Sequence, residues 1–326
     1  MTMDARPAVQ PAPRASGERH PAGRERDIVF LCDEPDAQDL RMLRDEISNL
    51  GASSKQFHPN AMTISSASGK AQVWCQGQPH TASVLIGWVR GQARSAAMAK
   101  FWALERLGLD VVNGWGSMFL ASNPFYRSVL LHASGLPHPP LFSGHEPRAA
   151  LSLAARIGYP VTAHPLALPP SQGHAPHDAL HFEDEESLRW FFAHQVATEH
   201  FYVHAYRGGR TLRVICVGDT PLLSCYDDQP WGEYGLPAPG PAALDALPEV
   251  PATLAVRAAA AVGRQFALVR LAEDDLAPGG YWVLDAVPYP ALDPTGWPGG
   301  GVAPVLGHLA KALFQRAKDG TQRSSA

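Results

Sequence analysis

The chain has 326 residues, and its apolar content of 45% is enough for one large domain or two to three small ones. Its net charge of −4 argues against a protein that binds nucleic acids or anionic membrane surfaces, since these carry basic stripes. The sequence has no apolar run near the ~20 residues of a membrane span and no apolar segment typical of a signal peptide. We therefore expect a cytoplasmic protein whose four scattered cysteines are buried, reduced thiols.

Lysine is scarce and unevenly distributed. No lysine lies between residues 101 and 310, and the chain contains only Lys55, Lys70, Lys100, Lys311 and Lys318. Arginine takes most cationic positions, which is typical of a GC-rich genome. A compositional bias cannot replace a lysine that a reaction requires, so this gap restricts the chemistry of the central region.

The first part of the chain predicts a small α/β domain. Residues 1–25 are rich in Pro, Ala, Arg and Gly without periodicity, and we expect a disordered tail. Apolar strands then alternate with helices over residues 26–118, with Asp36 as the predicted cap of the first helix, and this order predicts a mainly parallel sheet. Neither GxGxxG nor GxxxxGK[ST] follows any strand, so neither a dinucleotide fold nor a P-loop is predicted.

Residues 119–318 predict a second, α+β part. We expect helices at 119–134, 183–195, 253–265 and 302–317. We expect strands at 161–163, 201–206, 212–217, 266–271 and 281–287, with the second and third of these joined as a hairpin by the turn at 207–210. Residues 227–250 predict a proline-rich loop.

Three segments of this second part form a distinctive series of sequence motifs. Residues 135–140 read GLPHPP, residues 157–165 read IGYPVTAHP, and residues 201–218 read FYVHAYRGGRTLRVICVG. This series resembles ATP-grasp carboxylate–amine ligases of the RimK and glutathione-synthetase type. The resemblance spans about residues 26–318 and implies an N-terminal parallel βαβ domain followed by two α+β subdomains. It also implies ATP and Mg²⁺ as cofactors, and an amide or peptide bond formed through an acyl phosphate.

The nucleotide-binding residues that the resemblance implies are largely substituted. One phosphate-binding lysine of the family falls on Pro124 or Phe125, and the second is His164. Phosphate binding favours a permanently charged donor, whereas histidine has an unperturbed pKa near ~6.5. Arg127 is a candidate substitute one turn further on, with an ordinary surface arginine as the alternative.

Two further segments supply nucleotide-site candidates by resemblance. Ser171 and Gly173 lie in a segment similar to the family's glycine-rich phosphate loop, with an ordinary surface loop as the alternative. His204 takes the place of the glutamate on the adenine side. Arg213 matches an arginine that contacts substrate or phosphate, which makes it the candidate catalytic residue. The spacing of the histidines at 164, 174, 177 and 181 matches no zinc pattern, so we expect no metal site there.

The metal ligands that the resemblance implies are also mostly lost. The family places an Asp on one strand and Glu-x-Asn on the next, whereas this chain has Arg270, Asp285 and Val287 at these positions. One carboxylate remains, and Mg²⁺ requires several oxygen ligands directed at one point. We predict that Arg270 forms a salt bridge with Asp285 that takes the place of the metal.

Three functional hypotheses remain open. The first is a pseudoenzyme that acts as a scaffold, a small-molecule sensor or the partner subunit of another protein or an active paralogue. The second is a divergent ATP-dependent ligase that uses Arg127, His164, Arg213 and Asp285. The third is an enzyme that works without ATP through its histidines. Because each lost electrostatic group is typically worth ~10²–10³ in rate, the sequence favours the pseudoenzyme.

Overall fold

The computed structural model describes residues 27–65, 72–80, 84–89, 94–144, 146–165, 180–194, 201–205, 210–227, 242–243, 247–263, 266–288 and 302–323. The predicted tail and the candidate residues Ser171 and Gly173 lie outside these residues. Among the described helices, none is both long and apolar enough to cross a membrane. The four cysteines are buried, as predicted.

The described elements alternate along the chain. The helices are α1 (Gln38–Asn49), α2 (Arg94–Arg106), α3 (Trp115–Ser122), α4 (Pro124–Ala133), α5 (Pro147–Ile157), α6 (Glu185–His194), α7 (Glu249–Ala261) and α8 (Val302–Arg323). The strands are β1 (Asp27–Cys32), β2 (Ser53–Phe57), β3 (Met62–Ser65), β4 (Gln72–Cys75), β5 (Gln78–His80), β6 (Val84–Trp88), β7 (Val111–Val112), β8 (Leu141–Gly144), β9 (Val161–Pro165), β10 (Leu180–Phe182), β11 (Phe201–Ala205), β12 (Thr211–Val217), β13 (Thr220–Asp227), β14 (Ala242–Ala243), β15 (Phe266–Glu273) and β16 (Tyr281–Pro288).

The N-terminal sheet has the order β2-β1-β6-β7 and its pairs are parallel, which confirms the predicted α/β arrangement. Residues 28–32 of β1 and all residues of β6 are buried, because both faces of the sheet are covered. Helices α1 and α8 pack on one face, and α2 with the small sheet β3-β4-β5 packs on the other. The sequence analysis missed β2, whose residues SSKQF show no apolar alternation.

The middle sheet has the order β10-β9-β11-β8 and is antiparallel. Its buried residues form a separate core with α5 and α6. The C-terminal sheet has the order β14-β13-β12-β15-β16 and is also antiparallel. Helix α7 covers one of its faces, and part of the other face shares a core with α8 and the N-terminal sheet.

The predicted hairpin between residues 201–206 and 212–217 is wrong. Strand β11 pairs with β8 and β9 in the middle sheet, whereas β12 pairs with β13 and β15 in the C-terminal sheet. The physical reason is that the two strands bury their side chains in different cores: Phe201 and Val203 pack with α6, and Leu212 and Val214 pack with α7. The two strands therefore belong to different sheets and do not pair with each other.

Two helix ends also differ from the predictions. The helix expected at 119–134 is two helices, because Pro124 opens α4 at its first position and Asn123 before it is extended. The side chain of Asn123 accepts hydrogen bonds from the backbone N–H groups of Phe125 and Tyr126 and so caps α4. At α1, Ala37 occupies the N-cap position without a side-chain hydrogen bond, so the predicted cap at Asp36 is wrong.

Candidate functional site

Four charged residues form a row on and beside the C-terminal sheet. Arg213 on β12 is the direct Cα partner of Arg270 on β15, and Arg270 is the Cα partner of Asp285 on β16. Arg127 on α4 completes the set from outside the sheet. We call these four residues the arginine–aspartate row.

The sheet residues of this row share the face turned away from α7. The residues that flank the two arginines, Leu212 and Val214 on β12 and Val269 and Leu271 on β15, are fully buried in the core with α7. Successive side chains of a strand point to opposite faces, so Arg213 and Arg270 point to the other face. A register shift after Arg270 leaves Asp285 opposite it.

Arg127 and Asp285 form a bidentate ion pair. Arg127 Nε donates to Asp285 Oδ1 at 2.8 Å, and Nη2 donates to Oδ2 at 2.9 Å. Nη1 donates to the Leu120 carbonyl at 2.9 Å, which joins α4 to α3. Arg127 is 4% exposed and Asp285 8% exposed, so the alternative of a surface arginine at 127 is wrong. A buried bidentate pair of this kind fixes the helix against the sheet.

The surroundings of Asp285 keep it ionised. Burial by itself raises the pKa of this carboxyl group, but the charge and hydrogen bonds of Arg127 outweigh it and lower the pKa below its usual range. The charge of Arg270 and the N–H of Ala286, which donates to Oδ1 at 2.8 Å, act in the same direction. The row therefore holds one carboxylate whose charge is neutralised chiefly by Arg127.

The predicted salt bridge between Arg270 and Asp285 is not the ion pair that forms. Arg270 lies opposite Asp285 in the sheet and stabilises its charge, but the hydrogen-bonded partner of Asp285 is Arg127. Arg270 Nε is buried, and within the described residues it has no hydrogen-bond acceptor. The sequence could not reveal the actual partner, because Arg127 and Asp285 are 158 positions apart.

Two buried histidines lie close to the row. Nδ1–H of His204 donates to the Ala205 carbonyl at 2.9 Å, and Nδ1–H of His138 donates to the Pro139 carbonyl at 2.8 Å. Burial lowers the pKa of His204 to about 4, with the nearby His138 contributing in the same direction and the Ala205 carbonyl and Asp285 opposing it. Burial also lowers the pKa of His138. Both rings are therefore neutral at pH 7.

The segment 137–140 explains why these histidines meet. The Pro137 carbonyl accepts from the Val283 N–H on β16 at 2.7 Å, and the Pro140 carbonyl accepts from the Ala205 N–H on β11 at 2.9 Å. The segment thus joins the middle and C-terminal sheets. Sequence analysis quoted His138 within GLPHPP but did not assign it to the site, and the prolines on either side were the available sign of a fixed backbone.

The remaining candidate residues are only partly placed. His164 lies on β9 with Tyr202 on β11 as its Cα partner, and its side chain is outside the described part of the structure. Thr211, at a position where the resemblance implies an Asp, is buried at the start of β12. The structure brings Arg127, His204, Arg213, Arg270 and Asp285 to one region between the middle and C-terminal sheets.

The residues of the row do not suit a divalent cation. Both oxygens of Asp285 accept hydrogen bonds from Arg127, and Oδ1 accepts a further one from Ala286. A Mg²⁺ ion at this carboxylate would lie close to Arg127 and Arg270, and their charges would repel it. In the described part of the chain, no group of three or more His, Cys, Asp or Glu side chains could hold a metal ion.

Comparison with known proteins identifies the fold. No protein-family model matches the chain. The ATP-grasp ligase PsnB, solved with a minimal precursor, is 18% identical at a TM-score of 0.67, over 89% of this chain and 99% of PsnB. PsnB has also been solved with precursor, Mg and ADP.

Two further solved structures extend this likeness. A RimK-domain ATP-grasp protein from Sphaerobacter thermophilus is 17% identical at a TM-score of 0.63, over 87% of this chain and 98% of the other. The macrocyclase MdnC from Microcystis aeruginosa, bound with its precursor peptide MdnA, is 12% identical at a TM-score of 0.62, over 89% of this chain and 99% of MdnC. These similarities show that the chain has the ATP-grasp fold.

Proposed function

We propose that this protein is a pseudoenzyme of the RimK-like ATP-grasp type, which acts as a scaffold or sensor for a protein partner and not as a ligase. The observation that carries this proposal is the buried bidentate pair of Arg127 and Asp285. In this pair, Arg127 donates to both oxygens of Asp285, which is the one carboxylate that remains among the metal ligands implied by the resemblance. A ligase of this type needs charge neutralisation around the γ-phosphate.

Three positions support the same conclusion. Arg270 stands where the resemblance implies an acidic metal ligand, and it faces Asp285. Val287, on the same strand as Asp285, has no metal-binding atom in its side chain. Neutral His204 occupies the place of a family glutamate on the adenine side. Losses that act on one centre are not additive, but together they leave little catalytic power.

The class of partner is argued from the solved relatives. PsnB has been solved with the precursor peptide PsnA2, and MdnC with its precursor peptide MdnA. We propose that this chain holds such a peptide, or an active paralogue, while another protein supplies the reaction. We also propose that the chain divides into two parts near residue 118, and that residues 119–318 form the part that binds the ligand.

The test is release of ADP from Mg-ATP by the purified full-length protein, with amino acids and short peptides as acceptors. We expect no release above the rate in buffer, and the same result for Asp285→Asn. A Mg²⁺-dependent release that Asp285→Asn abolishes would overturn the proposal.

That outcome would support the second candidate, a divergent amide- or peptide-forming ligase. One observation favours this candidate, namely that Arg213 and Arg270 are adjacent cations on one face of the sheet. Two cations in this position are able to contact phosphate oxygens. Loss of ADP release in Arg213→Gln would then identify Arg213 as the catalytic residue that sequence analysis predicted.

A further inference from the structure

Helices α3 and α4 carry a stack of aromatic rings that reaches the surface. Trp115 and Phe119, one turn apart on α3, have ring centroids 5.5 Å apart at an interplanar angle of 18°. Tyr126 on α4 continues the stack, with its ring centroid 4.9 Å from that of Phe119 and an angle of 20°. The two end residues are exposed, Trp115 at 38% and Tyr126 at 40%. We call these three residues the aromatic stack.

The surface around the stack lacks the charged residues of an ordinary solvent-facing helix. Between residues 115 and 133, Arg127 is the only Lys, Arg, Asp or Glu, and it is buried against Asp285. Val129, one turn after Tyr126 on α4, is also 40% exposed and extends the apolar surface. Exposed apolar surface of this kind is typical of a binding site for another segment of protein.

An acidic group borders the stack at Trp115. Glu105, exposed on α2, accepts a hydrogen bond from the Trp115 N–H through Oε1 at 3.2 Å. Gly114 permits this approach, because a Cβ at that position would lie 1.4 Å from Oε1. Aromatic surfaces bind segments in the polyproline II conformation, whose proline rings pack on the aromatic side chains. A carboxylate at the edge adds a partner for an arginine of such a segment.

The chain itself contains a segment with this chemistry. Residues 6–14 read RPAVQPAPR, with three prolines between two arginines. Polyproline II has about three residues per turn, so Pro11 and Arg14 lie on one face of such a segment. Pro11 is then able to pack on an aromatic ring while Arg14 pairs with Glu105. Arginine also binds favourably to the face of an aromatic ring.

This segment is long enough to reach the stack. Strands β1, β6 and β7 are parallel, and α3 follows β7, so α3 begins at the edge of the sheet opposite to the start of β1. The six residues of β1 span about 20 Å, and crossing to β7 adds about 10 Å. The chain from Arg14 to Asp27 covers about 40 Å in polyproline II. A tethered segment has an effective concentration of about 1 mM, so a weak contact is enough to keep it bound.

We propose that the aromatic stack and Glu105 form a docking site for the chain's own N-terminal segment, residues 6–14. The site is independent of the pseudoenzyme proposal, because it contains no residue of the arginine–aspartate row. The tether favours this occupant over a second copy of the protein or a proline-rich segment of another protein, and the test separates the three.

The experiment is fluorescence anisotropy with a fluorescein-labelled synthetic peptide of residues 5–16, titrated with full-length protein. A tail variant with serine in place of Pro7, Pro11, Pro13 and Arg14 removes competition from the protein's own segment. We expect the peptide to bind the tail variant at least about 10-fold more tightly than the wild type, whose own segment occupies the site. Equal affinities would assign the surface to a segment of another protein and overturn the proposal, as would the absence of binding to the tail variant.

Substitutions within the tail variant locate the site. Trp115→Ala removes an aromatic contact and should weaken peptide binding about 5-fold or more. Trp190→Ala, at a tryptophan that is 57% exposed on α6, is the matched control and should change affinity less than about 2-fold. Equal effects of the two substitutions would place the peptide elsewhere and overturn the proposal.

Glu105→Gln protects the test against a folding defect, because its amide oxygen still accepts from the Trp115 N–H. We expect it to weaken binding of the peptide about 2- to 5-fold, and to leave unchanged the binding of a peptide that carries Arg14→Ala. The same loss with both peptides would contradict the proposed pairing.

Sedimentation velocity of the wild type and of Trp115→Ala tests for a second copy on this surface. We expect the same sedimentation coefficient for both proteins. A dimer that Trp115→Ala dissociates would assign the surface to self-association and overturn the proposal.

Discussion

At the scale of single residues, the ion pair between Arg127 and Asp285 is the contact whose loss should matter most. Arg127→Met leaves a buried carboxylate without its partner, and we expect a loss of about 3–5 kcal/mol in the free energy of unfolding. The double variant Arg127→Met with Asp285→Leu should recover much of this loss, because no uncompensated charge remains. Urea unfolding monitored by circular dichroism measures both.

The matched control for this prediction is an exposed pair on α6. Arg189 and Glu185 form an ion pair one turn apart, with side chains 64% and 47% exposed. Arg189→Gln should cost less than about 1 kcal/mol, since water screens such a pair. Equal losses for Arg127→Met and Arg189→Gln would show that the pair with Asp285 is not an important part of the core.

His204 makes stability depend on pH in a defined window. Its folded pKa of about 4 lies below the usual histidine value of 6.5, so the unfolded chain binds more protons between these two pH values. The stabilisation is fully present above pH 6.5, and we expect it to fall by about 3 kcal/mol as pH decreases to 4. The lowered pKa of Asp285 extends the loss to more acidic pH.

Urea unfolding at pH 7.0 and pH 4.5 measures this dependence. His204→Gln should flatten it, whereas His308→Gln, at an exposed position on α8, should leave it unchanged. An unchanged slope in His204→Gln would mean that another group is responsible.

At the scale of elements, the start of α4 positions Arg127. The Asn123 side chain accepts from the N–H of Phe125 at 3.0 Å and from that of Tyr126 at 3.4 Å. Asn123→Ala removes this cap, and we expect a loss of about 1 kcal/mol in thermal or urea unfolding. Asn123→Asp keeps an acceptor at the same position and should be close to the wild type. A similar loss in both variants would argue that the cap does not stabilise α4.

At the scale of the whole molecule, helix α8 packs against both the N-terminal sheet and the C-terminal sheet. Leu306 and Leu309 lie in one core with β1 and β6 of the N-terminal sheet and with Ile215 of the C-terminal sheet. Leu306→Ala should therefore lower the hydrogen-exchange protection of both β1 and β15 by a similar free energy of about 2–5 kcal/mol. Lys311→Ala, at an exposed position on α8, should change neither. Loss of protection in one sheet alone would show that the two sheets unfold independently.

Local patterns in the sequence were enough for the fold class and for many of the individual helices and strands. The apolar runs of β1 and β6 predict buried strands of a parallel sheet, and the segments around Gly135, Tyr159 and Arg213 carry the resemblance to the ATP-grasp fold. Composition also revealed the absence of lysine from the central region. These inferences succeeded because burial periodicity and short motifs are properties of neighbouring residues.

The tertiary structure alone decided the chemistry of the site. The sequence suggested Arg270 as the partner of Asp285, since both stand at positions that the resemblance assigns to metal ligands, but α4 brings Arg127 to the carboxylate from 158 positions away. Likewise, the sequence predicts a hairpin from residues 201–206 and 212–217, whereas the two strands pack in different cores. Contacts between distant parts of a chain depend on how helices and sheets pack, and no local pattern records that packing.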